Sequence, residues 1–329
     1  MPDVAGVTAY ASFFLITALI NAIVCLGLNV QWGQTGLFNV GIAGFVAIGA
    51  YASALLTTPP SDGHMGGFAL PIVVGWLGAM AAAGAFSAFV GALTLRLRAD
   101  YLAITTFGAA VAVQLVALNA QRLTGGAFGI GFIPRPFETI AERPLLFGLA
   151  NLVIVATLVS GLYVGLERLV RSPWGRVLRA IREDERAARS LGKSPTRYRL
   201  QAFALGGAIM GLGGAVHASY IGFIAPDNYL SSLTFQIWAM LVVGGSGNNR
   251  GAIFGAVLIW ALWSISGLAI GGFIPPDEQA RAAALRLVAI GVLLSATIVL
   301  RPRGIFGELA TVSRHLDDAT RPAASSQSG

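Results

Sequence analysis

One segment of this chain cannot lie in hydrocarbon, whereas nearly every other long segment can. Residues 167–199 read ERLVRSPWGRVLRAIREDERAARSLGKSPTRYR and hold ten of the chain's 22 Lys and Arg residues. Long apolar runs flank this island on both sides. Over the whole chain 11% of residues are charged and 55% are hydrophobic, against roughly 25% charged in soluble domains. That composition specifies an all-α polytopic membrane protein. The net charge of +7 is therefore no signal for nucleic acid. Arg and Lys collect in the loops on one side of a membrane for reasons of topology.

Crossing the hydrocarbon takes about 20 apolar residues in a helix. The candidates are residues 10–29, 37–56, 68–95, 101–118, 145–166, 200–224, 233–244, 252–273 and 285–300. This gives about nine transmembrane helices, with eight to ten compatible with the pattern. The seventh is short and Gly-terminated, and reads as broken or re-entrant. Two Gly-rich breaks, GQTG at 33–36 and GGSG at 244–247, adjoin spans. In GGAIMGLGGAVHAS at 206–219, Gly207, Gly211 and Ala215 share one helix face. Small residues at that spacing let membrane helices approach closely. The lone Cys25 excludes an intrachain disulfide and a cysteine-based metal cluster. The first apolar run has no basic n-region before it, so we expect it to be retained as a helix.

Charge orients the bundle. With the island inside and the spans alternating, Arg96, Arg98, Arg250, Arg301, Arg303, Arg314 and Arg321 also fall inside. Arg122, Arg135, Arg143, Arg281 and Arg286 fall outside. The result is 17 basic residues inside against 5 outside. We therefore expect the N-terminus outside and the C-terminus in the cytoplasm. Residues 1–307 form the transmembrane domain, and 308–329 form a polar, disordered tail.

Within the island, Ser172 and Pro173 read as a helix start, and Gly192 as its end. Residues 176–191 between them read as one amphipathic helix. Glu183 with Arg186, and Glu185 with Arg189, have the spacing of local ion pairs. Such a helix lies on lipid headgroups or docks in a groove of a partner protein. The acidic triplet Glu183-Asp184-Glu185 weighs against the lipid reading, because anionic headgroups repel it.

Several stretches together resemble a known family. These are RAIREDE at 179–185 with Ala187, Ala188, Leu191 and Gly192, the Gly-rich segment 29–56, RLRADYLAITTFG at 96–108 and TGG at 124–126. MLVVGGSGNNRGAIFGA at 240–256 and RPRGIFG at 301–307 agree as well. In order and spacing they resemble the M-type permeases of the Liv system, ABC importers of branched-chain amino acids. The resemblance implies a second, H-type permease, two cytoplasmic ATPases and a periplasmic binding protein as partners. It implies residence in a bacterial inner membrane. It also implies that ATP and magnesium bind the partner ATPases and that this chain carries no cofactor. The island helix would then be the coupling helix, with Arg179, Arg182, Glu183, Asp184, Glu185, Ala187, Ala188 and Gly192 meeting the ATPase. Measured against the related EAA motif, the glutamate falls one residue early, at Glu185. Departures at 39–42 and 235–237 leave room for urea, short amides or other amino acids as cargo.

Polar residues in or beside the spans are the candidates for a substrate pathway. Gln34, Thr35 and Asn39 cluster at a Gly-broken segment, where irregular backbone lines a cavity or is buried in protein. His217 and Gln236 lie within apolar runs. For His217, a hydrogen bond to a neighbouring backbone or hydroxyl group, such as Ser219, is the structural alternative. Thr124, Gly125 and Gly126 read as a turn, and by resemblance as an outer gate or a contact for the binding protein. Rival classes fit less well. An ion-coupled secondary transporter calls for an intramembrane acid, yet no Asp or Glu lies well inside a span. The sequence has no Walker-type P-loop, and its only histidines are His64, His217 and His315. Both points weigh against an enzyme.

Overall fold

The computed structural model describes residues 4–60, 65–96, 99–273 and scattered positions between 278 and 307. The candidate span 285–300 is described only at isolated positions, and the tail 308–329 lies outside the described residues. Within them the fold is helical. The helices are α1 (Val4–Leu28), α2 (Ile42–Thr57), α3 (Ile72–Thr94), α4 (Ala99–Asn119) and the single turn α5 (Gln121–Thr124). They continue with α6 (Pro144–Arg171), α7 (Pro173–Glu183), α8 (Glu185–Ser190), α9 (Pro195–Ile221), α10 (Ser231–Gly244) and α11 (Asn249–Phe273). Among the described residues, β structure is confined to an isolated antiparallel bridge between Ile130 and Ile224.

Among the described residues, six helices are long and apolar enough to cross a membrane: α1, α3, α4, α6, α9 and α11. Helices α2 and α10 have only 16 and 14 residues. At 1.5 Å per residue they reach about 24 Å and about 21 Å, short of the hydrocarbon thickness of about 30 Å. Both adjoin the Gly-rich breaks seen in the sequence. The spans also run further than hydropathy alone marks. Helix α6 continues to Arg171 and α9 starts at Pro195, so both ends of the Arg-rich island are turns of spanning helices.

Helix α9 is the axis of the bundle, packing on α1, α2 and α3. Its glycines make this possible, each against a different neighbour. Gly206 faces Gly27 and Gln31 on α1 and its extension, Gly207 and Gly211 face Ser87 and Ala83 on α3, and Gly214 faces the Val46 carbonyl on α2. A Cβ at Gly49 would run into the Gly211 backbone. The stripe Gly207, Gly211, Ala215 is thus one of several contact faces, and Ala215 is fully buried. Phe45, Phe203 and Met210 fill the space beside the glycines.

Close backbone contact should make these glycines intolerant of larger residues. Gly49→Val is expected to destabilise the subunit by about 1–3 kcal/mol or more through overpacking. A Cβ added at Gly161, on an open face of α6, would meet nothing within 4 Å. Gly161→Ala is expected to be neutral or to stabilise by up to about 1 kcal/mol. Thermal-shift midpoints of the purified variants in detergent test the contrast.

Candidate functional site

The described surface outside the bundle at the Arg-rich end is a hairpin of α7 and α8. The sequence suggested one continuous helix over 176–191, and the structure corrects this. Asp184 breaks it with an extended backbone, φ −146° and ψ 103°. The Asp184 amide still closes α7 on the Ala180 carbonyl. Its Oδ1 accepts from the amides of Arg186 and Ala187 at 2.8 and 3.0 Å, so the side chain caps α8. Ser172 occupies the cap position of α7, but its hydroxyl donates back to Leu169 O. Gly192 adopts φ +73° just beyond α8, and Pro195 opens α9.

The polar ties of the hairpin to the bundle are made mainly by arginine. Arg176 Nη1 donates to Arg171 O and Arg179 Nη2 to Val170 O, both at 3.3 Å, near the C-terminus of α6. Arg182 Nη1 donates to Gly33 O, at the end of the α1 extension. Carbonyls at helix C-termini lack intrahelical donors and carry partial negative charge, which suits guanidinium groups. Glu185 binds Arg189 at 2.8 Å and Arg199 of α9 at 2.7 Å. The spacing-based pair Glu183–Arg186 is not among the ion pairs of the described residues, and both side chains are exposed. Ala188, Leu178 and Ile181 face inward, while Ala187, Gly192 and Leu191, the last 79% exposed, face outward.

Above the hairpin lies the broken segment. Helix α1 ends in a π-helical turn, Asn29–Gly33, and the chain then runs irregularly through residues 36–41 before α2 starts. This backbone is buried, so its polar groups need protein partners. Leu37 N donates to Gln31 O at 3.0 Å, Val40 N to Thr106 Oγ1 at 3.1 Å, and Gly41 N to Asn39 Oδ1 at 2.7 Å. Asn39 O accepts from Trp238 Nε1 at 2.9 Å, and Ala43 N donates to Thr234 Oγ1 at 3.1 Å. Asn39 Nδ2 donates to Gln31 Oε1 at 2.7 Å, and Gln31 Nε2 donates to Phe203 O of α9 at 2.8 Å. A second chain of bonds anchors the other edge. Asn29 Nδ2 donates to Asn249 Oδ1 at 2.9 Å, and Asn29 Oδ1 accepts from Gly247 N at 2.8 Å. Asn249 Nδ2 then donates to Glu167 Oε2 at 3.2 Å.

The structure brings three of the pathway candidates together. Gln34, Thr35 and Asn39 are all buried within the subunit. Thr35 Oγ1 donates to Gln31 O, and Gln34 Nε2 donates to Gly247 O at 3.2 Å, while Gln34 Oε1 is buried without a partner. His217 is half-buried on α9, far along the helix from this cluster. Ser219, its suggested partner, instead accepts from Trp76 Nε1 at 3.1 Å. Gln236 is half-buried on α10, beside the exposed Phe235. Gln31, Thr106, Thr234, Asn249 and Glu167 were not singled out from the sequence. Two of them flank Gly-rich breaks, which is the signal that could have found them.

Thr124, Gly125 and Gly126 lie at the opposite end. Thr124 Oγ1 donates to Ala117 O at 2.6 Å, and both glycines have positive φ. They lead into the stretch that pairs Ile130 with Ile224, and Arg135 Nη2 donates to Ile221 O at 2.6 Å, capping α9. Burial raises the neighbouring Tyr229 phenol above its ordinary value, so its hydroxyl stays neutral. Thr124 also borders an apolar cavity of about 830 Å³ between α2, α3 and α4, lined by Tyr51, Phe86, Phe89, Val113 and Val116. Its walls suit aliphatic chains rather than charged groups.

Residues 10–298 match the family described as "Branched-chain amino acid transport system / permease component". The chain belongs to this family. It is similar to the high-affinity branched-chain amino acid transport system permease protein LivM of Escherichia coli K12, 38% identical over 262 residues, 73% of this chain and 60% of that protein. It is also similar to the probable branched-chain amino acid transport permease protein LivM of Methanocaldococcus jannaschii, 29% identical over 71% of this chain and 75% of the relative. The guanosine ABC transporter permease protein NupQ of Bacillus subtilis is 29% identical over 74% of this chain and 76% of that protein. The match thus spans about 60% of the length of the Escherichia coli relative. No solved structure matches the chain.

Asn39 separates a structural from a transport role for this segment. Asn39→Val removes a donor and an acceptor in a buried network, leaving Gln31 Oε1 and Gly41 N unpaired. The expected cost is about 1–3 kcal/mol, read as a lower melting midpoint of the purified subunit in the absence of any substrate. A pathway residue without structural duty would leave that midpoint unchanged.

Proposed function

We propose that this chain is a non-catalytic transmembrane subunit of an ATP-driven importer for branched-chain amino acids in a bacterial inner membrane. It works by alternating access beside a second, H-type permease. Two cytoplasmic ATPases hold the ATP and magnesium, and a periplasmic binding protein delivers the cargo. The N-terminus lies outside and the Arg-rich hairpin and C-terminus lie inside, following the distribution of positive charge.

The observation that carries this reading is the α7–α8 hairpin. Its inner face is buried against the bundle, and its outer edge presents Ala187, Leu191 and Gly192. A small-residue edge beside an exposed leucine suits a protein groove. Of the three clustered acids, Asp184 is engaged as a helix cap and Glu185 is held by two arginines. Glu183 is therefore the acid presented to the ATPase. The cargo follows the higher identity to the Escherichia coli LivM permease, 38%, than to the guanosine permease, 29%. The absence of an Asp or Glu well inside a spanning run favours ATP over a coupling ion as the energy source.

Cysteine cross-linking tests the docking in the assembled importer. Ala187→Cys is expected to react with cysteines placed around the ATPase groove, whereas Ala188→Cys, which faces the bundle, is not. Uptake of labelled leucine into proteoliposomes should cease when the partner ATPases are inactivated and should persist when ion gradients are collapsed. Loss of uptake on gradient collapse alone would turn the assignment toward a secondary transporter.

A further inference from the structure

Arg182 lies on the hairpin but acts toward the membrane. Its guanidinium donates to the Gly33 carbonyl, and its aliphatic stem lies beside Gly36, where a Cβ would stand 3.2 Å from Cγ. Gly36 has φ +70°, so the chain turns at the point that Arg182 covers. The carbonyl belongs to the end of the π-helical turn, where a cation both supplies the missing donor and opposes the helix-end charge. The far edge of the same turn is fixed by Asn29 to Gly247 and Asn249, and through Asn249 to Glu167 on α6. Past Gly36 the chain enters residues 37–41, of which Leu37, Asn39 and Gly41 are buried, and then α2.

We propose that Arg182 is a positioning residue that transmits displacement of the α7–α8 hairpin to the broken segment 29–41. It does so by pulling on Gly33 rather than by touching the ATPase. The inference rests on the hairpin being the ATPase-docking element. Hairpin and broken segment then move as one body at this contact, and the irregular stretch 36–41 absorbs the change ahead of α2. The α6 caps from Arg176 and Arg179 keep the base of the hairpin attached while Arg182 works at its far end.

The test uses the complete importer in proteoliposomes, with leucine uptake and ATP hydrolysis measured on the same vesicles. Arg182→Ala is expected to lower uptake per ATP hydrolysed on the order of 5- to 150-fold, the range of ordinary coupling energies. Cross-linking from Ala187→Cys to the ATPase should persist in that variant. Arg182→Lys, which can still donate one bond to the carbonyl, should recover part of the ratio. Arg182→Gln serves as the uncharged variant if the alanine form fails to assemble. An unchanged uptake-to-ATP ratio in Arg182→Ala or Arg182→Gln overturns the inference. So does loss of the Ala187→Cys cross-link in those variants, which would place Arg182 in the docking surface itself. If Ala187→Cys fails to cross-link with Arg182 intact, the docking reading is what has failed.

Discussion

A helix that stops inside a membrane protein leaves backbone donors and acceptors that hydrocarbon cannot satisfy. Much of the buried polar chemistry among the described residues answers that constraint at one place, the break between α1 and α2. Asn39, Gln31, Thr106, Thr234 and Trp238 are placed where the irregular backbone needs them. These side chains come from the broken segment itself and from α4 and α10, and Gln31 bonds to the backbone of α9. The break is therefore a junction, and its integrity depends on the relative placement of several helices. Moving one of them disturbs bonds made by the others.

The glycine axis makes the junction geometrically possible. Gln31 reaches Phe203 O because α1 and α9 approach closely at Gly27 and Gly206. A larger residue at either position would separate the helices and lengthen that bond. Close packing and polar satisfaction are thus coupled, so a defect in one appears as a defect in the other.

The sequence made the helical class, the order of the long helices among the described residues and the two Gly-rich breaks legible, because hydropathy and glycine act locally. It also made the short α10 legible, since a 14-residue helix ending in Gly244 cannot match the bilayer alone. The break at Asp184 was hidden by amphipathic periodicity, which continues across it. The clue was chemical: an Asp followed by an acidic first turn is a helix start even within a helical pattern. The distant partners of Asn39 and Asn29 were not legible at all. Trp238, Gly247 and Asn249 lie 199 to 220 positions away, and no local rule pairs them. Pathway candidates such as Gln34 and Thr35 were found by their position at a break, and that same position explains why they are buried and bonded within the subunit.

The arginines show how a topological signal and a mechanical one become the same residues. Positive charge at one end of the bundle orients such a chain, for which any exposed arginine would serve. Here Arg176, Arg179 and Arg182 instead meet carbonyls of α6 and the α1 extension, and Arg199 meets Glu185. Together these interactions join the hairpin to α6, to the α1 extension and to α9. A hairpin held only by its two chain connections would rock without effect on α1. Held also at Gly33, it cannot shift toward or away from the membrane without loading the turn that precedes the break.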